Sequence, residues 1–217
     1  MLTNDEIESF STFVKGLTLT YDHNPEEYLY HSPVLICLNA VLSINRRYQA
    51  FAAPRIRRFR DEYPTVQTLG ALDRLLTHVG YDGLGEVWHY RDPGRARLLQ
   101  EVVRWFRNLT TSNGAQSELD AMRVWAAEFD VTESKSLPLH GIEFTTTQYL
   151  RMLIGASTTK PVRHLHRAIQ QAVHRKVSDV DAVLIVERAA ERLGVHAIAV
   201  DYALWKRFSQ VSVDGDS

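Results

Sequence analysis

The feature that most limits the fold is a hydrophobic spacing that stays helical along almost the whole chain. Residues 5–16 place Ile7, Phe10, Phe13 and Val14 on one face. Val34 to Ile44 is strongly apolar and follows Ser32-Pro33, a cap with proline at the first helical position. An arginine-rich amphipathic helix is predicted over 46–62. Another is predicted over 66–79, with Leu69, Leu72, Leu75, Leu76 and Val79 inward, ahead of breaks at Gly80, Gly83 and Gly85. Asp92-Pro93 opens a helix through Leu109 with the stripe Leu98, Leu99, Val102, Val103 and Phe106. Ser117 can cap 118–130, and 145–155, 161–176, 179–193 and 197–209 complete the series, with Ser178 and Asp181 resembling a capping box. No segment alternates with period 2 beside turn residues. The expectation is an all-α chain of roughly ten helices. Nothing repeats at a fixed period, which argues against a solenoid.

Composition matters here for what it excludes. One cysteine among 217 residues rules out an internal disulfide framework, a four-cysteine zinc site and a cysteine-ligated iron–sulfur cluster. No cofactor is expected. No apolar run approaches the roughly 20 residues that span a bilayer. The N-terminus (MLTNDEIESF) lacks a signal-peptide layout, so no membrane association and a cytoplasmic location are expected. The formal charge of -1 hides local clusters. Residues 1–30 are acidic. Arg46, Arg47, Arg55, Arg57, Arg58 and Arg60 form one basic cluster; Lys160, Arg163, Arg167, Arg175 and Lys176 form another, with His164, His166 and His174 among them. Such clusters suit a phosphate backbone, and equally suit a solvated helix face.

The most informative element is the turn Leu137-Pro138-Leu139-His140-Gly141-Ile142-Glu143-Phe144-Thr145-Thr146-Thr147, leading into the apolar helix from Gln148. Proline ends a helix, glycine permits a left-handed turn, and threonines open the next helix. A helix–hairpin–helix of this kind presents backbone N–H groups to an anion such as a DNA phosphate. A plain connection between two packed helices is the alternative.

This turn, the helix order around it and Lys160-Pro161-Val162-Arg163-His164 resemble the helix–hairpin–helix (HhH-GPD) DNA glycosylase superfamily of the endonuclease III type, over roughly 33–209. Leu42-Ser43-Ile44-Asn45 is similar to the segment whose polar residue wedges into the duplex. Leu193 to Trp205 is similar to the terminal helix of cluster-free relatives. The resemblance implies a two-lobed fold. A six-helix barrel would lie near 33–155, and residues 1–32 plus 156–217 would form the second lobe. It implies double-stranded DNA as partner, bent with a base flipped out. The residues implicated are Asn45, Arg46, Gly141, Ile142, Phe144, Thr145, Thr146, Lys160, Arg163, His164 and Arg167. It also implies a monovalent sodium or potassium ion at the carbonyls of Leu137, Leu139 and Ile142.

The departures bear on chemistry. The lysine that forms a Schiff base in bifunctional members matches Thr145, which makes lyase activity improbable. The aspartate that assists base release matches Val162, or Arg163 by loop spacing; neither is a carboxylate. Glu143 stands where the family has a second glycine, which raises the prospect of strained backbone and of a negative charge near phosphate. Glu143, Asp179 and Asp181 are the nearest replacement carboxylates in sequence. The first expectation is therefore a DNA-binding protein on the scaffold of a base-excision-repair glycosylase, lacking the catalytic pair. The alternatives are an active monofunctional glycosylase with a relocated group and a protein-interaction module without DNA binding. Cys37 is expected to be buried, and Trp88-His89-Tyr90 is the leading aromatic stacking surface.

Overall fold

A computed structural model describes residues 2–17, 31–133 and 137–208. The Asn24-Pro25 turn and the tail from Val211 lie outside them. The described residues form ten α-helices, with no strand among them. They are α1 (Asn4–Gly16), α2 (Pro33–Leu42), α3 (Ala53–Glu62), α4 (Leu69–Val87), α5 (Pro93–Ser112), α6 (Glu118–Glu128), α7 (Phe144–Ile154), α8 (Arg163–Val173), α9 (Asp179–Leu193) and α10 (Ala197–Phe208). The chain is all-α, and none of these helices is long and apolar enough to cross a membrane.

The caps expected at Ser32, Ser117 and Ser178 are in place, and Thr3 adds one that the sequence reading did not include. Side-chain oxygens of Thr3, Ser32, Ser117 and Ser178 accept N–H groups of Glu6, Leu35, Asp120 and Asp181. Two elements differ in kind from the sequence reading, beyond shifts of a few residues at other helix ends. The single helix expected over 46–62 is a wide turn of π type at Tyr48–Ala52 followed by α3. Pro54 has no N–H to continue an ordinary helical ladder there. The break expected across Gly80, Gly83 and Gly85 is confined to Gly80 (φ 64°, ψ −179°), and the helix resumes to Val87.

Two compact units divide the chain. A terminal unit comprises Met1–Leu29, Asp130–Lys135 and Thr147–Ser217; an interior unit comprises Tyr30–Phe129 and Ser136–Thr146. Beside the expected lobes of 33–155 and 1–32 plus 156–217, residues 147–155 group with the terminal unit. Arg151 shows why: its guanidinium lies 3.6 Å from Glu187 on α9.

In the interior unit α2 is the central helix, buried along nearly its whole length. It packs against α3, α4, α5 and α6. Glu118 at the start of α6 accepts the N–H groups of Leu69 and Gly70, giving α4 a second cap from across the unit. In the terminal unit α1, α8, α9 and α10 enclose Phe10, Val14, Leu165, Ile169, Ile185, Val186, Val200 and Leu204. Ala182, Ala189 and Ala190 line the same core, and small side chains let helices approach closely. Glu6 on α1 pairs with Arg175 just after α8.

Candidate nucleic-acid interface

The interior unit builds its most elaborate polar surface where α2 ends. The N–H of Ser43 reaches Asn39 O at 2.9 Å, and the N–H of Arg46 closes a four-residue turn on Ser43 O at 3.2 Å. Asn45, third in that turn, has φ 50° and is exposed. Asparagine tolerates this left-handed backbone better than most side chains. Carbonyls at and just beyond the end of α2 are gathered by Arg95 of α5. Its guanidinium donates to Val41 O at 3.0 Å, Leu42 O at 3.1 Å and Ile44 O. A largely buried arginine thus clamps the turn that carries Asn45 and Arg46.

Arg46 is exposed and donates to the Tyr90 hydroxyl at 3.2 Å, with its guanidinium 5.4 Å from the Phe51 ring centre. Arg55 lies 3.8 Å over the same ring and donates to His89 O and Phe51 O. Phe51 and Tyr90 meet edge to face at 4.8 Å. Tyr90 in turn donates to Asp92, which caps α5. The Arg95 N–H, the Tyr90 hydroxyl and the nearby guanidinium hold the Asp92 carboxyl below the usual range. The assembly is a rigid arginine–aromatic surface with one compensating carboxylate.

The expected stacking triplet separates. Trp88 is fully buried, its Nε1 donating to Tyr90 O. His89 takes φ 54° and pairs with Glu62 at 2.9 Å. Of the three, Tyr90 joins the arginine surface.

The 137–147 turn is partly as expected. Gly141 has φ 91° and is exposed, and Ile142 N–H closes on Leu139 O at 3.1 Å. Ile142 is 2% exposed, so its side chain serves the core and only its backbone could meet a phosphate. Phe144, Thr145 and Thr146 are half-buried at the start of α7. Glu143 is exposed and is not among the residues with left-handed backbone, so the strain anticipated there is absent. Among the described residues, no helix runs between α6 and Leu137. Helix α6 stops at Glu128, and Asp130 forms a local turn by accepting the Thr132 N–H at 2.7 Å. Leu137 O and Leu139 O each accept a hydrogen bond within the turn. An ion would find fewer open lone pairs than three uncommitted carbonyls provide. Among the described residues no group of three or more His, Cys, Asp or Glu side chains is arranged to hold a metal.

In the terminal unit, Val162 occupies the N-cap of α8 in extended backbone (φ −118°, ψ 168°) with no side-chain cap. Arg163 is exposed; His164 and Arg167 are half-buried. Lys160 is half-buried, with its ammonium 4.5 Å from the Tyr149 ring centre. Burial pushes the Lys160 ammonium down, against the opposing pull of Asp201. Asp201 on α10 accepts the Thr159 hydroxyl at 2.7 Å and lies 3.9 Å from His164 Nε2. It was not among the carboxylates considered from sequence. The available signal was a lone acid inside the apolar run Ala197-Ile198-Ala199-Val200-Asp201. Of those that were considered, Asp179 pairs with His166 at 2.8 Å, and Asp181 gives its N–H to Ser178.

Beneath this surface Gln148 accepts from Arg151 at 2.8 Å and from Thr158 at 2.9 Å. Burial pushes the Glu187 carboxyl upward, against the Thr158 hydroxyl and Arg151. Cys37 is fully buried, and desolvation pushes its thiol pKa well up, so it is an inert core thiol.

Arg46 and Asn45 are thus brought together, as are Lys160 and His164 around Asp201, while Thr145 stands without a nucleophilic amine. No curated protein and no solved structure matches the chain. A family model described as a domain of unknown function (DUF8548) matches residues 12–209, and the chain belongs to that family.

Proposed function

We propose that this protein binds duplex DNA on a helix–hairpin–helix glycosylase-like scaffold, without the family's usual lysine and aspartate. The observation that carries the reading is the clamped turn Ser43–Arg46. An exposed asparagine in left-handed backbone and an exposed arginine are pre-organised by Arg95. Arg46 would neutralise a phosphate, and the short Asn45 amide would enter the base stack. Rigid presentation lowers the ordering cost of such insertion. Damaged or modified positions, which unstack cheaply, would be favoured. Lys160, Arg163 and Arg167 supply further cationic groups in the terminal unit, with His164 among them in sequence.

The test is fluorescence anisotropy of short duplexes over a salt series. Arg46→Glu should weaken binding and lower the salt slope by about 1 or more. Asn45→Ala should reduce preference for an abasic duplex while leaving the salt slope unchanged. Binding by both variants equal to the parent would remove the turn from the interface.

Asp201 favours a second reading, an active monofunctional glycosylase with a relocated group. It brings a partly buried carboxylate beside the Thr159–His164 segment, where the resemblance expects one. Abasic sites formed in alkylated DNA and lost in Asp201→Asn would support it.

A further inference from the structure

We infer that the solvent face of α10 is a stacking platform for single-stranded nucleic acid, with Trp205 as its base-contacting ring. The site is distinct from the turn after α2 and lies wholly within the terminal unit. Among the described residues, the large apolar side chains left exposed are Tyr81, Val124 and Trp205, and Trp205 is the most exposed at 47%. Tyr81 has a local role, its hydroxyl donating to Gln100 at 3.0 Å and its ring lying beneath Arg97. The other tryptophans are also accounted for. Trp88 is in the core, and Trp105 and Trp125 pack edge to face with each other and with Phe106.

Trp205 contributes no such core packing. Its ring stacks on Tyr202 at 5.7 Å with 28° between planes, so the pair forms a stiff, two-ring surface. Every fourth position of the same helix, Val200, Leu204 and Phe208, enters the core and fixes its orientation.

Charge selects the occupant. Lys206 and Arg207 follow Trp205 directly and are exposed, and no described carboxylate is ion-paired to Arg207. One turn back on the helix, Asp201 is engaged by the Thr159 hydroxyl and has Lys160 and His164 beside it. An aromatic platform flanked by cations fits bases stacked on the rings with phosphates tracked by the basic residues. It fits single strands better than duplex, because a paired base keeps its faces inside the stack.

The test titrates the full chain with an oligothymidylate of about 15 nucleotides, following intrinsic tryptophan fluorescence and, separately, anisotropy of the labelled strand. Binding should quench the exposed Trp205. Trp205→Ala should weaken single-strand affinity roughly 5- to 150-fold, Trp205→Phe should restore most of it, and Arg207→Glu should weaken it with a smaller salt slope. Duplex binding through the turn after α2 should persist in Trp205→Ala. Duplex binding without single-strand binding overturns this inference and leaves the proposed function standing. Single-strand binding without duplex binding does the reverse. Unchanged single-strand affinity in Trp205→Ala overturns the inference. So does self-association of the parent that Trp205→Ala abolishes, which would make the platform a contact between copies of the chain.

Discussion

Replacing Arg95 with alanine should damage both stability and DNA binding, although the guanidinium is only 13% exposed and is not offered to DNA. Its side chain holds the carbonyls of Val41, Leu42 and Ile44 and sits 3.5 Å from Asp92. A hydrogen bond from a charged donor contributes about 1.5–3 kcal/mol when its partner would otherwise stay dry. Here the carbonyls end a helix beside an exposed turn, so water can replace part of the loss. About 1 kcal/mol per carbonyl, or about 3 kcal/mol together, is the expected cost. With a urea dependence of about 1–3 kcal/mol per molar, the midpoint should fall by about 1–3 M. Arg95→Lys supplies a point charge in place of the planar fork and should recover only part of that. Duplex affinity should fall in parallel as Asn45 and Arg46 lose their fixed geometry. A midpoint shift below about 0.3 M in Arg95→Ala, with DNA affinity unchanged, would refute the clamp.

Three further outcomes follow from single sites. Hydrogen bonds from Arg175 and the Thr3 N–H hold Glu6 down from 4.5 to about 2. Its contribution is therefore complete above pH 4.5 and lost as pH falls toward 2, and acid titration of Glu6→Gln should lack that segment of the stability profile. Gly141→Ala has room, since its Cβ would lie 3.6 Å from Leu98, but φ of 91° imposes strain. A loss of about 1–2 kcal/mol in thermal unfolding is expected. Val162→Asp places a good cap at the bare N-terminus of α8 and should stabilise by about 0.5–2 kcal/mol in denaturant titration. Destabilisation would mean the carboxylate cannot turn toward the helix.

The parts of this fold written locally were legible in the sequence. Ser32-Pro33, Ser117 and Ser178 announce helix starts because capping needs only neighbouring residues. The split of the arginine helix was also written there, in Pro54, but the amphipathic spacing on either side masked it. Other features depend on residues far apart in the chain. Arg95 reaches the end of α2, Glu118 caps α4, and Asp201 meets Thr159, each by tertiary packing that spacing does not encode. At the candidate interface, Asn45 and Arg46 were readable from the segment after α2. The clamp beneath them and the arginine–aromatic surface beside them were not. Trp88 shows the opposite error: an aromatic triplet reads as a surface, yet the indole fills the core and leaves only Tyr90 at the site.

The most direct test of DNA binding through the Ser43–Arg46 turn is anisotropy with two short duplexes, one intact and one bearing a stable abasic analogue, across a salt series. The expected result is affinity that falls with salt, favours the abasic duplex, and loses that preference in Asn45→Ala. Absence of binding to either duplex at low salt would contradict the account and leave the chain as a protein-interaction module.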